Sequence, residues 1–563
     1  MSTAGRRPIL AVLVLLAACV PVPPTTASAQ SPSTTTAPVP RVRVPFPHDD
    51  GAPTPYTFGL GYSLVTLVYD TLLWRDDDGV PQPWLAESVE TAPDGRLVTI
   101  RLDRRARWHD GNAVTAADVA FTFSFVASRP HARFTPQLRA VERVEATDPG
   151  TVVVTLRHPS PGFLHQPLAD LPILPAHLWR DLAREAAAPA GLPVGSGPYR
   201  LVEHRSEGYR FEAVGDYFRG PPAVGAIDVP VIRSFAETMR ALERREVDMV
   251  PVSLPESSLE ELDDPTIRVR QGPSYAGTVL LLNLRRSPFD QAEVRRAVAG
   301  ALDVVGINRA VGSATPATRG YLHPASKWAP PGPPAPTPAA APELLRQLPA
   351  VELLVTDADP GHLEAARQVV RALRRAGAEA EVRAVGADQL AAAVTGGGAG
   401  EPSFSAAIWT APALSSYDPD FLTALFGSDA DRGLLNHGGY RSEAFDAAAE
   451  RVAAATDEAA RQREVAEQLR ILAEEVPAVP LLFPTGAFAY RPGVYDGWRF
   501  VKGTGLLDKR SFTDPLPAPL AGRDPSRPRA SSGSGLSPLG WAAVAVVVAA
   551  LVVAFVALLS GRR

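Results

Sequence analysis

The chain has 563 residues, 45% hydrophobic and 21% charged, enough for a large globular body with more than one core. A net charge of −5 lacks the basic excess that nucleic-acid binding demands, so no nucleic-acid partner is expected. Cys19 is the single cysteine, which excludes an intramolecular disulfide.

Arg6-Arg7 and the apolar run Ile9 to Ala18 form the n- and h-regions of a targeting segment too short to span a bilayer. Two exits from it are open. Leu16-Ala17-Ala18-Cys19 resembles a bacterial lipobox, in which Cys19 is lipidated; Ala27-Ser28-Ala29 is an A-x-A cleavage site. Residues 1–29 are therefore assigned to a leader and 30–40 to a tether rich in Pro, Thr and Ser. A helix is expected over Leu64 to Trp74, entered through Gly59, Gly61 and Tyr62; a glycine-flanked aromatic at such a start often faces a cleft.

The densest run of local signals spans Pro93 to Phe125. Asp94-Gly95 is a turn, followed by period-2 alternation that puts Val98, Ile100 and Leu102 on one strand face. A second turn, His109-Asp110-Gly111, precedes Thr115, an N-cap with Asp118 at capping-box spacing. Val119, Phe123 and Val126 then recur at helical spacing.

Further on, Val152 to Leu156 reads as a fully buried strand, and Pro172 to Leu178 as a loop entering a short helix. Val194 to Tyr199 carries Gly195 and Gly197, which suit a tight turn with positive φ before a strand at Tyr199 to Val202. Ser196 lacks the G-x-S-x-G frame of a nucleophile elbow, and no Lys-Ser/Thr follows to make a phosphate loop. Ala226 to Ile232 and Val279 to Asn283 are strands; Ala236 to Glu246 and Val294 to Leu302 are helices. A Pro/Ala segment, Ala325 to Leu348, leads into a βαβ pattern: strand Val351 to Val355, helix Leu363 to Arg375 stopped at Gly377, strand Ala380 to Val385. Phe404 to Trp409 adds a strand to that partly parallel sheet, helices Glu443 to Ala455 and Glu458 to Glu475 follow, and Val479 to Pro484 is a last strand. Beyond it, residues 514–537 form a Pro/Ser/Gly linker, and 538–560 hold an uncharged apolar run, Trp541 to Leu559, long enough to cross a membrane. Arg562-Arg563 follow, which by the positive-inside rule puts the C-terminus in the cytoplasm and the body outside the cell membrane.

Four separated pieces, Trp84-Leu85-Ala86-Glu87-Ser88, Asp94-Gly95, Arg107 to Gly111 and Thr115 to Val119, together resemble the signature of the family 5 extracellular solute-binding proteins. Tyr69-Asp70-Thr71-Leu72, Gly195-Ser196-Gly197-Pro198-Tyr199, Ala241 to Asp248 and Asn436 to Tyr440 resemble further elements of the same family, over roughly Val44 to Trp498. The resemblance implies an α/β, two-lobed periplasmic-binding-protein-like fold of type II with an extra subdomain, to which the apolar run Trp541 to Leu559 adds one C-terminal transmembrane helix. It implies lobe I with its inserted subdomain at 41–283, lobe II at 284–480 and a return to lobe I at 481–513. The implied function is capture of an oligopeptide or similar small solute between lobes that close by a hinge, for delivery to the permease subunits of an ABC importer. The alternative is a membrane-anchored ligand sensor or surface-interaction protein of the same fold.

No chemistry of catalysis is assembled. The ten histidines are scattered without an H-E-x-x-H or H-x-x-x-H pair, so neither a metal nor another cofactor is expected. Candidate ligand contacts are Tyr62, Tyr275, Trp409, Tyr417 and Asp418, each weighed against plain core packing. Peptide receptors of the family often place an acid shortly after the tryptophan to meet a ligand amine. Here Ala411, Pro412 and Ala413 stand there, and Asp418 of Asp418-Pro419-Asp420 is the nearest substitute, which leaves the solute class open.

Overall fold

The computed structural model describes residues 39–514 apart from short internal stretches, the longest being 331–340. The leader with Cys19 and the 538–560 run lie outside the described residues. Among the described residues no helix is long and apolar enough to cross a membrane.

The N-terminal body holds two four-stranded sheets. The first runs in the order Val42–Arg43, Ala226–Pro230, Gly208–Ala213, Tyr199–Arg205, with the outer pair parallel and the rest antiparallel. The second is antiparallel throughout, in the order Ala86–Thr91, Leu97–Leu102, Thr151–Leu156, Val141–Asp148. Its buried face, Val98, Ile100, Leu102, Val152 and Val154, meets Val119, Phe123 and Val126 of the helix Ala116–Ser128 in one core. The Thr115 amide and hydroxyl both donate to the Asp118 carboxylate at 2.8 Å. The other Asp118 oxygen accepts from the Ala176 amide at 2.9 Å, so one capping acid ties this helix to the short helix Ala176–Trp179.

The C-terminal body is built on a seven-stranded sheet. Its path is Arg268–Pro273, Ala478–Tyr490, Gly277–Leu282, Ala406–Ala411, Val351–Thr356, Ala380–Val385, with Ala314–Pro316 also on Ala478–Tyr490. Val351–Thr356 is parallel to both Ala380–Val385 and Ala406–Ala411. The helix Pro360–Arg375 makes the crossover, with the Asp359 carboxylate accepting from the His362 amide at 2.9 Å. The strand Ala478–Tyr490 serves both bodies. Its first half pairs with Gly277–Leu282 and puts Leu481 and Leu482 in the C-terminal core. Its second half pairs with Arg268–Pro273 and puts Phe488 and Tyr490 in the N-terminal core.

Three local expectations need correcting. The helix expected over Leu64 to Trp74 spans only Tyr62–Val68, because Tyr69 turns extended and Leu73–Arg75 pairs as a strand with Pro81–Pro83. Gly195 and Gly197 do not adopt positive φ. Their need for glycine is close approach: a Cβ on Gly195 would stand 1.9 Å from the Val68 carbonyl oxygen. Thr151–Leu156 is buried on alternate residues only, since the sheet is covered on one face.

The break after Val68 sends Asp70 into the interior. The last described segment returns there as well: Lys509, fully buried, donates from Nζ to Asp70 at 2.8 Å. Its ammonium lies 4.3 Å from the Trp74 ring centroid and 4.5 Å from that of Trp84. Trp84 Nε1–H donates to the same carboxylate at 2.8 Å, and the Tyr217 hydroxyl at 3.2 Å. Burial pulls the Lys509 pKa below its ordinary value, with Asp70 opposing the shift. Lys509→Met leaves the buried Asp70 carboxyl without its ion-pair partner and should cost about 3–5 kcal/mol in chemical denaturation. Adding Asp70→Asn to that variant should restore a large part of the loss.

Candidate functional site

Where the two bodies meet there is a cavity of about 310 Å³, walled by residues 136–166 on one side and 418–453 on the other. Its floor is an acid pair. Asp418, 1% exposed, and Asp420 both accept from Arg461, the latter at 2.8 Å. Arg461 is equally buried, on the inward stripe of the helix Glu458–Glu475, and its guanidinium carbon lies 4.8 Å from the Trp328 ring centroid. Trp328 Nε1–H in turn donates to the Tyr417 carbonyl at 3.0 Å.

Two carboxylates therefore share one guanidinium, and the excess negative charge is not cancelled within the trio. Burial pushes the Asp420 pKa above the carboxylate range; Arg461 opposes this and the Asp418 charge reinforces it. Asp420 keeps 28% of its side chain exposed, toward the cavity. Asp418 Oδ2 and Asp420 Oδ1 have no hydrogen-bond partner. Neither do Gln137 Oε1 and Gln166 Nε2 on the facing wall. Native interiors rarely leave so many polar atoms unsatisfied in one place, so the cavity is shaped for a polar guest.

The facing wall is braced from behind. Asp170, fully buried, accepts from Arg133 Nε at 2.9 Å and Nη2 at 2.8 Å, and from Gln137 Nε2 at 2.8 Å. The Tyr62 hydroxyl donates to the Asp170 carbonyl, and the Arg133 guanidinium carbon sits 4.0 Å from the Tyr62 ring centroid. Arg75 donates to the carbonyls of Ala169 at 3.0 Å and His165 at 2.7 Å. His165 is buried, which pushes its pKa down to about 4 and keeps the ring neutral.

Of the five sequence candidates, Asp418 lines the cavity. Tyr417 and Tyr275 do not line it; their ring centroids are 5.2 Å apart, with Tyr275 stacked on His323 at 4.6 Å. Tyr62 instead belongs to the brace described above, among Phe58 and Phe134. Trp409 is half-buried, edge-on to His437 at 5.9 Å, and is not part of the cavity wall. Sequence reasoning missed Arg461, Gln137, Gln166 and Gly162. Arg461 did leave a signal: it falls four residues before Val465 on the stripe that carries Leu469 and Leu472, a charge on an apolar helix face. The two glutamines left none.

At two glycines the bodies approach too closely for a side chain. A Cβ on Gly162 would fall 2.2 Å from Asp418 Oδ2, and one on Gly79 would fall 2.1 Å from the Tyr417 ring.

The chain belongs to the bacterial extracellular solute-binding proteins, family 5, whose middle region matches residues 80–432. It is 29% identical over 246 residues to a putative ABC transporter peptide-binding protein of Brucella ovis, covering 42% of this chain and 46% of that one. The first curated relatives are thus matched over about half their length. A di/tripeptide-binding protein of Pseudomonas aeruginosa is 26% identical over 466 residues, 74% of this chain and 84% of its own. The fold superposes on the oligopeptide-binding protein AppA of Bacillus subtilis, solved with a nonapeptide, with a TM-score of 0.76 at 18% identity, covering 84% and 99% of the two chains. NikZ of Campylobacter jejuni, solved with Ni(L-His), gives 0.70 at 20% identity over 81% and 94%.

Gly162 has ordinary φ, so Gly162→Ala tests the closure contact without backbone strain. Overpacking there should cost the closed arrangement about 1–3 kcal/mol. Small-angle scattering should show a larger radius of gyration than the native protein, with circular dichroism unchanged.

Proposed function

We propose that the protein is the extracytoplasmic receptor of an ABC importer, holding a short peptide or similar amine-bearing solute between its two lobes and presenting it to permease subunits. The observation that carries this reading is the acid pair Asp418 and Asp420, sharing one arginine and lining the cavity between the two bodies. A protonated amine there replaces lost solvation with charge-assisted hydrogen bonds. Family membership and the peptide-binding relatives support the same class of ligand. The domain limits drawn from the sequence, with the lobes meeting near residues 283 and 480, belong to this proposal, as do Tyr275 and Tyr417 as neighbours of the bound amine.

The receptor is held to the cell membrane by the Trp541 to Leu559 run, its C-terminus cytoplasmic; Cys19 supplies a second attachment if the lipobox is used. A sensor without an importer is the second reading, favoured by that C-terminal run, since an importer receptor needs only one anchor. Deleting everything after Ser531 should release the protein from the membrane fraction. Retention that is abolished by Cys19→Ala would assign the anchoring to the lipid instead.

A solute that binds only the closed form should stabilise the protein by about 2.7 kcal/mol at a hundredfold excess over Kd. A panel of short peptides, amino acids and metal complexes, read by thermal unfolding, tests this; silence across the panel would overturn the reading. The sign of the pH dependence follows from Asp420. Its pKa is raised, so acidification protonates it before ordinary carboxylates, and affinity for a cation should fall as pH drops through that raised value. Asp420→Asn should bind weakly and flatten the profile.

A further inference from the structure

We propose that the preferred solute is a small cation without a carboxylate, an amine or guanidine carried on a neutral hydrogen-bonding frame. This rests on the solute-receptor reading and narrows it.

The charges around the cavity set the sign. Asp418 and Asp420 are two carboxyl groups against one guanidinium, Arg461, so the balance at the wall leans negative. Arg139 and Glu450, the other charged residues on the walls, are of opposite sign and cancel. Each has an interaction within the protein. His158, also on the wall, has its Nδ1 3.0 Å from the Pro159 carbonyl oxygen. The cations behind the facing wall are committed too: Arg133 to Asp170, and Arg75 to two backbone carbonyls. A zwitterion entering this cavity would place its amine against the acid pair and its carboxylate near Glu450 or the two glutamines. The one unpartnered donor there, the neutral Gln166 amide, would repay only a small part of the water that the carboxylate loses.

The remaining unpaired atoms describe the rest of the guest. Gln137 is 8% and Gln166 7% exposed, and both line the cavity, one with a free carbonyl oxygen and the other with a free amide nitrogen. Such a pair matches a neutral group that both donates and accepts, such as an amide or hydroxyl. A neutral partner suffices.

Volume sets the size. About 310 Å³ holds roughly ten waters at ~30 Å³ each, or a solute with about that number of non-hydrogen atoms. It lies at the low end of the ~300–1,000 Å³ usual for ligand sites. A long peptide would require the lobes to part and the contacts at Gly79 and Gly162 to be given up.

Calorimetry with three matched probes tests the proposal on the native protein: Ala-Ala-amide as the cation, Ala-Ala as the zwitterion and N-acetyl-Ala-Ala-amide as the neutral form. Agmatine and arginine make a second pair that differs in the carboxylate. The cation in each pair should bind at least about tenfold more tightly than its carboxylate-bearing partner. Asp420→Asn should reduce cation binding while leaving the neutral probe unchanged; circular dichroism would check its fold. Zwitterions binding as tightly as the cations would overturn the proposal while leaving a solute receptor standing. Failure of both cations would also overturn it. The receptor reading itself falls only if the wider panel of peptides, amino acids and metal complexes is silent as well.

Discussion

The junction of the two bodies is governed by one imbalance: two buried carboxylates answered by a single guanidinium. Removing that many charges from water is costly, and a lone arginine between two acids recovers only part of it. The surroundings limit the cost. Trp328 lies against the arginine, Tyr417 lends its carbonyl to Trp328, and Gly162 offers backbone instead of a side chain to Asp418. Asp418 Oδ2 and Asp420 Oδ1 are left without a hydrogen-bond partner, on two residues that line the cavity. A buried ion trio is weak evidence for stability, and its place where the two bodies meet fits a site for a charged guest.

Much of the fold was legible in the sequence because its signals are local. The alternation of Val98, Ile100 and Leu102, the Thr115–Asp118 cap and the βαβ run from Val351 to Val385 each state their structure within a few residues, and each forms as expected. The long helix Glu458–Glu475 was placed correctly as well. Misreadings fell where distant partners overrule local preference. Leu64 to Trp74 has an apolar helical pattern, yet Lys509, 439 residues away, draws Asp70 inward and the chain turns extended. Gly195 looked like a turn glycine, but the backbone of Val68 passing at van der Waals distance decides its identity.

The site was less legible than the fold for the same reason. Asp418 could be singled out because it follows Trp409 in a stretch the family resemblance brings forward. Its partner Arg461 lies on another helix, and Gln137 and Gln166 are on another body. A cavity between bodies has no sequence signature of its own; only a charge on an apolar stripe, as at Arg461, betrays part of it. The aromatics divided by position. Tyr417 precedes the acid in the chain but turns its ring onto Gly79, whereas Trp409 is held by its strand register against Val279 and faces His437.

The acid pair and the buried lysine are physically continuous. Lys509 fixes the final described segment, and its neighbour Arg510 pairs with Asp77 at 2.7 Å and with Asp514 at 2.8 Å. Asp77 belongs to the tight turn after Leu73–Arg75, whose Gly79 lies beneath the Tyr417 ring, one residue from Asp418. The same short stretch thus carries the counterion of Lys509 at one end, Arg75 against the facing wall in the middle and a closure contact at the other. Residues 70–79 are rigid for reasons unrelated to any solute, because Asp70 cannot leave Lys509 without stranding a buried charge. That rigidity gives the opposite lobe a fixed surface to close upon. Tyr417 packs against Gly79 and Asp418 against Gly162, which fixes where the acid stands on the cavity wall.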